Sequence, residues 1–113
     1  MLPSDHATDA IVLLAHGSRD PRPQLALTTL AEQVQQRLAH SMGVALQEIL
    51  VSVAWLELAP KPLHQQLVDL AQQASRAGRS RLHILPLFLL PGVHVMEDIP
   101  AEVTLASQLL AAQ

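Results

Sequence analysis

Three residues of this 113-residue chain stand where a side chain can do chemistry: His16, Glu57 and His94. Each follows an apolar run and precedes or follows a turn signal. Residues 10–15 read Ala-Ile-Val-Leu-Leu-Ala and end at His16-Gly17-Ser18. Residues 49–55 are apolar but for Ser52, with β-branched positions, and run out at Leu56-Glu57-Leu58-Ala59-Pro60. The most apolar stretch, 82–90, is broken by Pro91-Gly92 just before His94, with Glu97 and Asp98 following. Imidazole nitrogens with one carboxylate suit divalent iron, cobalt, nickel or zinc, and so small a set leaves coordination positions open. An open site holds a metal that reacts or moves on. A histidine or a carboxylate beside it can also accept protons.

The other histidines act as an internal control. His83 falls at the start of the third apolar run, the end opposite the site, and His40 falls in the last turn of a helix, where positive charge suits the dipole. His64 lies near the start of a second helix and His6 in the leading tail. All four read as structural or solvated. A single histidine at a strand end is as readily a hydrogen-bonded cap as a ligand, so the functional reading of His16 depends on its convergence with His94. Arg19, Arg22 and Lys61 are close in sequence to the same strand ends. They can bind an anionic substrate, although a lone surface Lys or Arg is more commonly just solvated.

Positioning these residues requires strands that end at one edge. The three short apolar runs predict buried strands over 10–15, 49–55 and 82–88, the third long enough and apolar enough to be covered on both faces. Between them, Leu27, Leu30, Val34 and Leu38 recur at helical spacing behind Pro21 and before Gly43, which predicts a helix over 21–40. Leu63, Leu67, Leu70, Ala71 and Ala74 predict a second helix behind Pro60 and Pro62 that stops at Gly78. A third helix is expected to open at Glu97 and Asp98 and to run through Val103, Ala106 and Leu110. Alternating strands and helices imply right-handed crossovers and a parallel sheet. With strand order 2-1-3, the ends of strands one and three meet at the switch point, where ligands of open α/β sheets bind. His16 and His94 would then face one crevice bordered by Glu57, on strands about 4.8 Å apart.

Composition narrows the classes further. The length predicts a single domain over 1–113. Half of the residues are hydrophobic and only 2% aromatic, so the core is expected to be Leu, Val, Ile and Ala in α/β layers. A net charge of −3 with no Lys/Arg cluster argues against nucleic acid. There is no cysteine, so any metal must be held by His, Asp, Glu or water. The first residues lack a signal-peptide pattern and the apolar runs fall short of a ~20-residue span, so a cytoplasmic protein without a membrane segment is expected.

The residues Ala15-His16-Gly17-Ser18-Arg19-Asp20-Pro21, Leu56-Glu57-Leu58-Ala59 and, above all, Pro86-Leu87-Phe88-Leu89-Leu90-Pro91-Gly92-Val93-His94-Val95-Met96-Glu97-Asp98-Ile99-Pro100 resemble the sirohydrochlorin chelatase family, in particular its short CbiX-type cobaltochelatases. The likeness spans nearly the whole chain. It implies a three-layer chelatase-like fold, equivalent to one lobe of a two-lobed chelatase. The implied activity is insertion of a divalent metal, cobalt with iron and nickel as alternatives, into sirohydrochlorin, a tetrapyrrole bearing many carboxylates. The metal is a substrate, and no other cofactor is expected. By resemblance His16 and His94 are the metal ligands and Glu57 is an acidic residue of the cleft. The likeness also implies a homodimer, each chain giving one wall of the cleft. Family members generally continue past the third helix into another strand and helix, whereas this sequence stops at Gln113. Two rivals are weighed against it: a divalent-metal-binding module without a tetrapyrrole, and a histidine phosphatase. The phosphatase motif has arginine directly before its histidine, where Ala15 stands here.

Overall fold

The computed structural model describes residues 9–87 and 93–113, the side chains of residues 93–96 excepted. Three parallel strands, β1 (Asp9–Ala15), β2 (Leu50–Trp55) and β3 (Arg81–Pro86), form one sheet in the order β2-β1-β3, as expected. Helices α1 (Pro21–Met42), α2 (Leu63–Arg76) and α3 (Val93–Ala111) follow the three strands in turn. The crossover order therefore reverses at β1, and the switch point lies between β1 and β3.

Alternation along the central strand builds two cores. Val12 and Leu14, with no exposed surface, point to one face with Ala54 and pack against Leu63, Leu67 and Val68 of α2 and Ala106 of α3. Leu13, together with Ile11 and Ala15, points to the other face and meets Leu27 and Ala31 of α1. A strand covered on both sides has no polar position to spare, which is why residues 10–15 read as continuously apolar. Truncating Leu14 to Ala would cost about 2–5 kcal/mol, the usual range for a buried leucine.

The first helix begins and ends as its sequence dictates. Asp20 caps it, its carboxylate accepting from the Arg22 N–H at 2.9 Å, and prolines occupy the first turn where an N–H is dispensable. Gly43 closes it at φ 67°, donating to Ala39 and His40 carbonyls. Ala31, rather than Leu30, takes the buried place beside Leu27; Leu30 is 39% exposed.

Three expectations need correction. The third strand stops at Pro86 instead of reaching residue 88. It is also not covered on both faces: Leu82 and Ile84 pack toward α2 and α3, but Leu85 and Leu87 on the opposite side are 47% and 40% exposed. The reason is that α1 lies over β1 and β2, leaving that side of β3 open among the described residues. Finally, α3 begins at Val93, four residues before Glu97, and carries Pro100 within it. The helix tolerates one missing backbone hydrogen bond there.

Candidate metal site at the strand ends

The hydrogen-bonded pairing of β1 and β2 does not stop with the strands. Leu56 N–H donates to Ala15 O at 2.9 Å and Glu57 N–H donates to His16 O at 3.0 Å, so two loops leave the sheet side by side. Gly17 makes this approach possible. At φ 116° a Cβ on it would stand 2.1 Å from the Glu57 carbonyl oxygen, so only glycine fits. The result is a direct contact between the two side chains, His16 Nε2 to Glu57 Oε1 at 2.7 Å. Both are about half exposed, 52% and 54%, and hence open to an incoming ligand. Leu58, next in the loop, is held at φ 59°, an arrangement that costs a non-glycine residue about 1–2 kcal/mol.

Two hollows flank these strand ends. On the α1 side, one of about 560 Å³ is lined by apolar groups including Ala15, Leu27, Leu30, Trp55 and Leu87. On the α2–α3 side, a smaller one of about 200 Å³ is lined by Glu57, Asp98 and Glu102 with Leu56, Pro62 and Leu63. Glu57 thus stands where the strand ends meet a polar hollow on one side.

The remaining sequence-derived candidates fall as follows. His94 is the second residue of α3, and its side chain lies outside the described residues, as do residues 88–92 of the Pro-Gly motif and His6. Lys61, in the loop before α2, is engaged by Asp69 of that helix at 2.7 Å. That hydrogen bond, helped by one from Gln65, lowers the Asp69 carboxyl below its usual value. Arg19 is exposed and makes no hydrogen bond or ion pair among the described residues, which leaves it available to an anion. Arg22 is paired with Asp20, whose carboxyl is held low by the side-chain and backbone donors of Arg22. His64 and His83 are each tied to a carboxylate: His64 Nδ1 to Glu102, which lines the polar hollow with Glu57, at 2.9 Å, and His83 Nε2 to Asp9, at the amino end of β1, at 3.2 Å. His40 sits in the last turn of α1, its carbonyl accepting from Gly43. Among the described residues no group of three or more His, Asp or Glu can hold a metal ion. At the strand ends the described residues bring together one imidazole and one carboxylate, His16 and Glu57.

The CbiX family model matches residues 10–112. The chain belongs to the CbiX family. Curated relatives include the sirohydrochlorin cobaltochelatase of Methanocaldococcus jannaschii, 30% identical over 92 residues that cover 81% of this chain and 56% of the relative. The sirohydrochlorin cobaltochelatase of Methanopyrus kandleri is 34% identical, covering 80% of this chain and 55% of the relative. The sirohydrochlorin ferrochelatase of Priestia megaterium is 32% identical over 84% of this chain but only 31% of its own length. This CbiX chain thus spans just over half the length of the cobaltochelatases it matches. Among solved structures, a CbiX protein from Marinobacter aquaeolei VT8 superposes with a TM-score of 0.62 at 28% identity, covering 88% of this chain and 72% of that one. The family match agrees with the sheet order and with the α/β architecture derived from the sequence.

Sequence reasoning missed two features of the site. Gly17 is visible there only as a turn residue, whereas its role is set by the close approach of a segment forty residues away. Gln66, whose side chain bonds the backbone at the end of β2, borders the apolar stripe of α2 between Leu63 and Leu70. Spacing alone carries no signal for it.

Proposed function

We propose that this chain inserts a divalent metal into sirohydrochlorin or a closely similar tetrapyrrole, as a chelatase of the lyase class serving cobalamin or siroheme formation. Cobalt is the metal we favour, with iron and nickel as alternatives. The observation that carries the reading is the 2.7 Å contact between His16 Nε2 and Glu57 Oε1 at the carboxyl ends of adjacent parallel strands, in a chain of the CbiX family. A chelatase must bind its metal loosely enough to give it up, so few ligands and high exposure suit the task. His16 supplies one nitrogen, and His94, by its place in the motif at the start of α3, is proposed as the second ligand. Metal entry releases two protons from the pyrrole nitrogens. Glu57 is the proposed acceptor. Its carboxylate faces His16 Nε2 at 2.7 Å, so a metal taken up by that nitrogen would free the carboxylate to accept a proton. The apolar hollow beside Trp55 and Leu30 offers a wall for a flat ring, and the exposed Arg19 is proposed to meet a peripheral carboxylate.

No helix among the described residues is long and apolar enough to cross a membrane, and we propose that the protein acts in the cytoplasm. We further propose that it works as a homodimer. The outer edge of β3 has no strand partner among the described residues, and Leu85 and Leu87 beside it are exposed. An open apolar edge favours association. Sedimentation that finds only monomer in a fully active sample would remove the dimer.

Anaerobic incubation with sirohydrochlorin and cobalt(II), iron(II) or nickel(II), followed through the absorption band of the macrocycle, tests the activity. The expected result is a metal-dependent band change, fastest with cobalt(II). Metal binding with no band change for any of the three would favour instead a metal-binding module.

A further inference from the structure

The loop that carries Glu57 is an awkward piece of chain. It leaves β2 at the outer edge of the sheet, turns through Leu58 at φ 59°, and must return to α2 within a few residues. Leu56 N–H points inward to Ala15, so by strand alternation the N–H and C=O of Trp55 point outward, where the sheet has no further strand among the described residues. Both groups would be left to water. They are met instead by one side chain from α2. Gln66 Oε1 accepts from Trp55 N–H at 2.9 Å, and Gln66 Nε2 donates to Trp55 O at 2.9 Å, which reproduces the hydrogen bonding of a neighbouring strand. The same Nε2 donates to Lys61 O at 2.9 Å, so a single amide grips the chain on both sides of Glu57. Only one orientation of the amide satisfies all three bonds, because a flipped group would set its oxygen against two carbonyls.

We propose that Gln66 is a positioning residue for Glu57: it substitutes for the missing strand at the edge of β2 and holds the 56–61 loop so that the carboxylate stays against His16. The proposal rests on the reading that Glu57 takes part in metal insertion. Its physical content is separate, namely that the backbone contact of Glu57 with His16 depends on the amide of Gln66.

Gln35 provides a matched control. Its Nε2 donates to Leu46 O at 3.0 Å and Ile49 O at 2.9 Å, clasping backbone carbonyls at the far end of β2 in the same chemical manner. Gln66→Met and Gln35→Met each remove an amide clasp while keeping side-chain length, and each should lower the unfolding midpoint. Only Gln66→Met should slow cobalt(II) insertion, by roughly tenfold, the usual scale for a group that orients a site residue. The loss should fall on kcat more than on KM. In a Glu57→Gln background Gln66→Met should change insertion by less than about twofold, since the residue it positions is already disabled. Gln66→Glu, which keeps the bond from Trp55 N–H but not the two donated bonds, is the milder variant should the methionine form fold poorly; it should slow insertion in the same direction. Amide hydrogen exchange reads the clamp without any activity: Leu56 and Glu57 N–H should exchange faster in Gln66→Met and be unchanged in Gln35→Met. If those two amides keep their parent exchange rates in the Gln66 variants, the clamp is refuted whatever the enzyme does. If they speed up but insertion falls equally in both backgrounds, or no more than in Gln35→Met, the positioning role is refuted. An inactive parent with the exchange result intact would instead overturn the chelatase reading and leave the clamp standing.

Discussion

The two ends of the central strand carry the same pair of residue types, a histidine and a carboxylate, in opposite circumstances. At the amino end, Asp9 receives Arg81 Nε at 2.8 Å as well as His83 Nε2 at 3.2 Å. Partial burial opposes ionisation of Asp9, but the hydrogen bonds and charges of Arg81 and His83 outweigh it and hold the carboxyl below its usual value. At the carboxyl end, Glu57 meets the imidazole of His16 at 2.7 Å, and among the described residues neither a lysine nor an arginine pairs with it. A carboxylate matched by a guanidinium is electrostatically finished and serves the fold. One matched only by an imidazole keeps its charge available to a proton or a metal. Residue type alone does not separate the two, since His83 and His16 are each about half exposed beside an acid. What separates them is the cation and the strand end.

The comparison can be broken most sharply at the histidines. His16→Ala and His94→Ala should each reduce cobalt(II) insertion by about a hundredfold or more, and the double variant should be little worse than either because the pair acts as a unit. His83→Ala should leave insertion nearly intact. Initial rates from the macrocycle band measure all four. Glu57→Gln keeps shape and removes charge, and should slow insertion by about a hundredfold if the residue accepts a pyrrole proton; rates unchanged across pH would remove it from the chemistry. Gly17→Ala should destabilise by roughly 2–4 kcal/mol, read by denaturant unfolding, because the added carbon meets the Glu57 carbonyl at 2.1 Å. The smallest effect belongs to the amino end. Because the folded carboxyl of Asp9 is lowered from 3.8, its stabilisation is present above that value and fades as pH falls through the folded value. Asp9→Asn should therefore lower the unfolding midpoint at neutral pH, and the gap from the parent should close in acid, with insertion unaffected at neutral pH.

Much of this arrangement is legible in the amino-acid sequence. The continuous apolar run at 10–15 and the run at 49–55, apolar but for Ser52, mark the first two strands, and Pro21 and Gly43 bracket the first helix at its observed start and close to its end. The alternation of strands and helices implies the parallel sheet, while the central place of β1 follows only if the two crossovers run in opposite directions, as they do. The third strand is less legible, because residues 82–90 are as apolar as a doubly covered strand although only one face of β3 meets helices. The start of α3 is obscured by Pro100, which usually marks a boundary and here lies inside the helix. At the site, His16 and Glu57 stand out by their places at the ends of their strands. Their contact does not, because it depends on Gly17 admitting a neighbouring backbone and on Gln66 holding an edge, and neither dependence leaves a periodic trace.

The central claim is that the carboxyl end of the sheet, and not its amino end, takes the metal. Calorimetric titration of cobalt(II) into the parent, His16→Ala and His83→Ala proteins tests it directly. A neutral imidazole is required for coordination, so the parent should bind more weakly as pH falls. The account predicts that His16→Ala loses most of the parent's affinity while His83→Ala keeps it. Undiminished cobalt(II) binding by His16→Ala, with loss in His83→Ala, would move the metal to the other end of the strand and contradict the account.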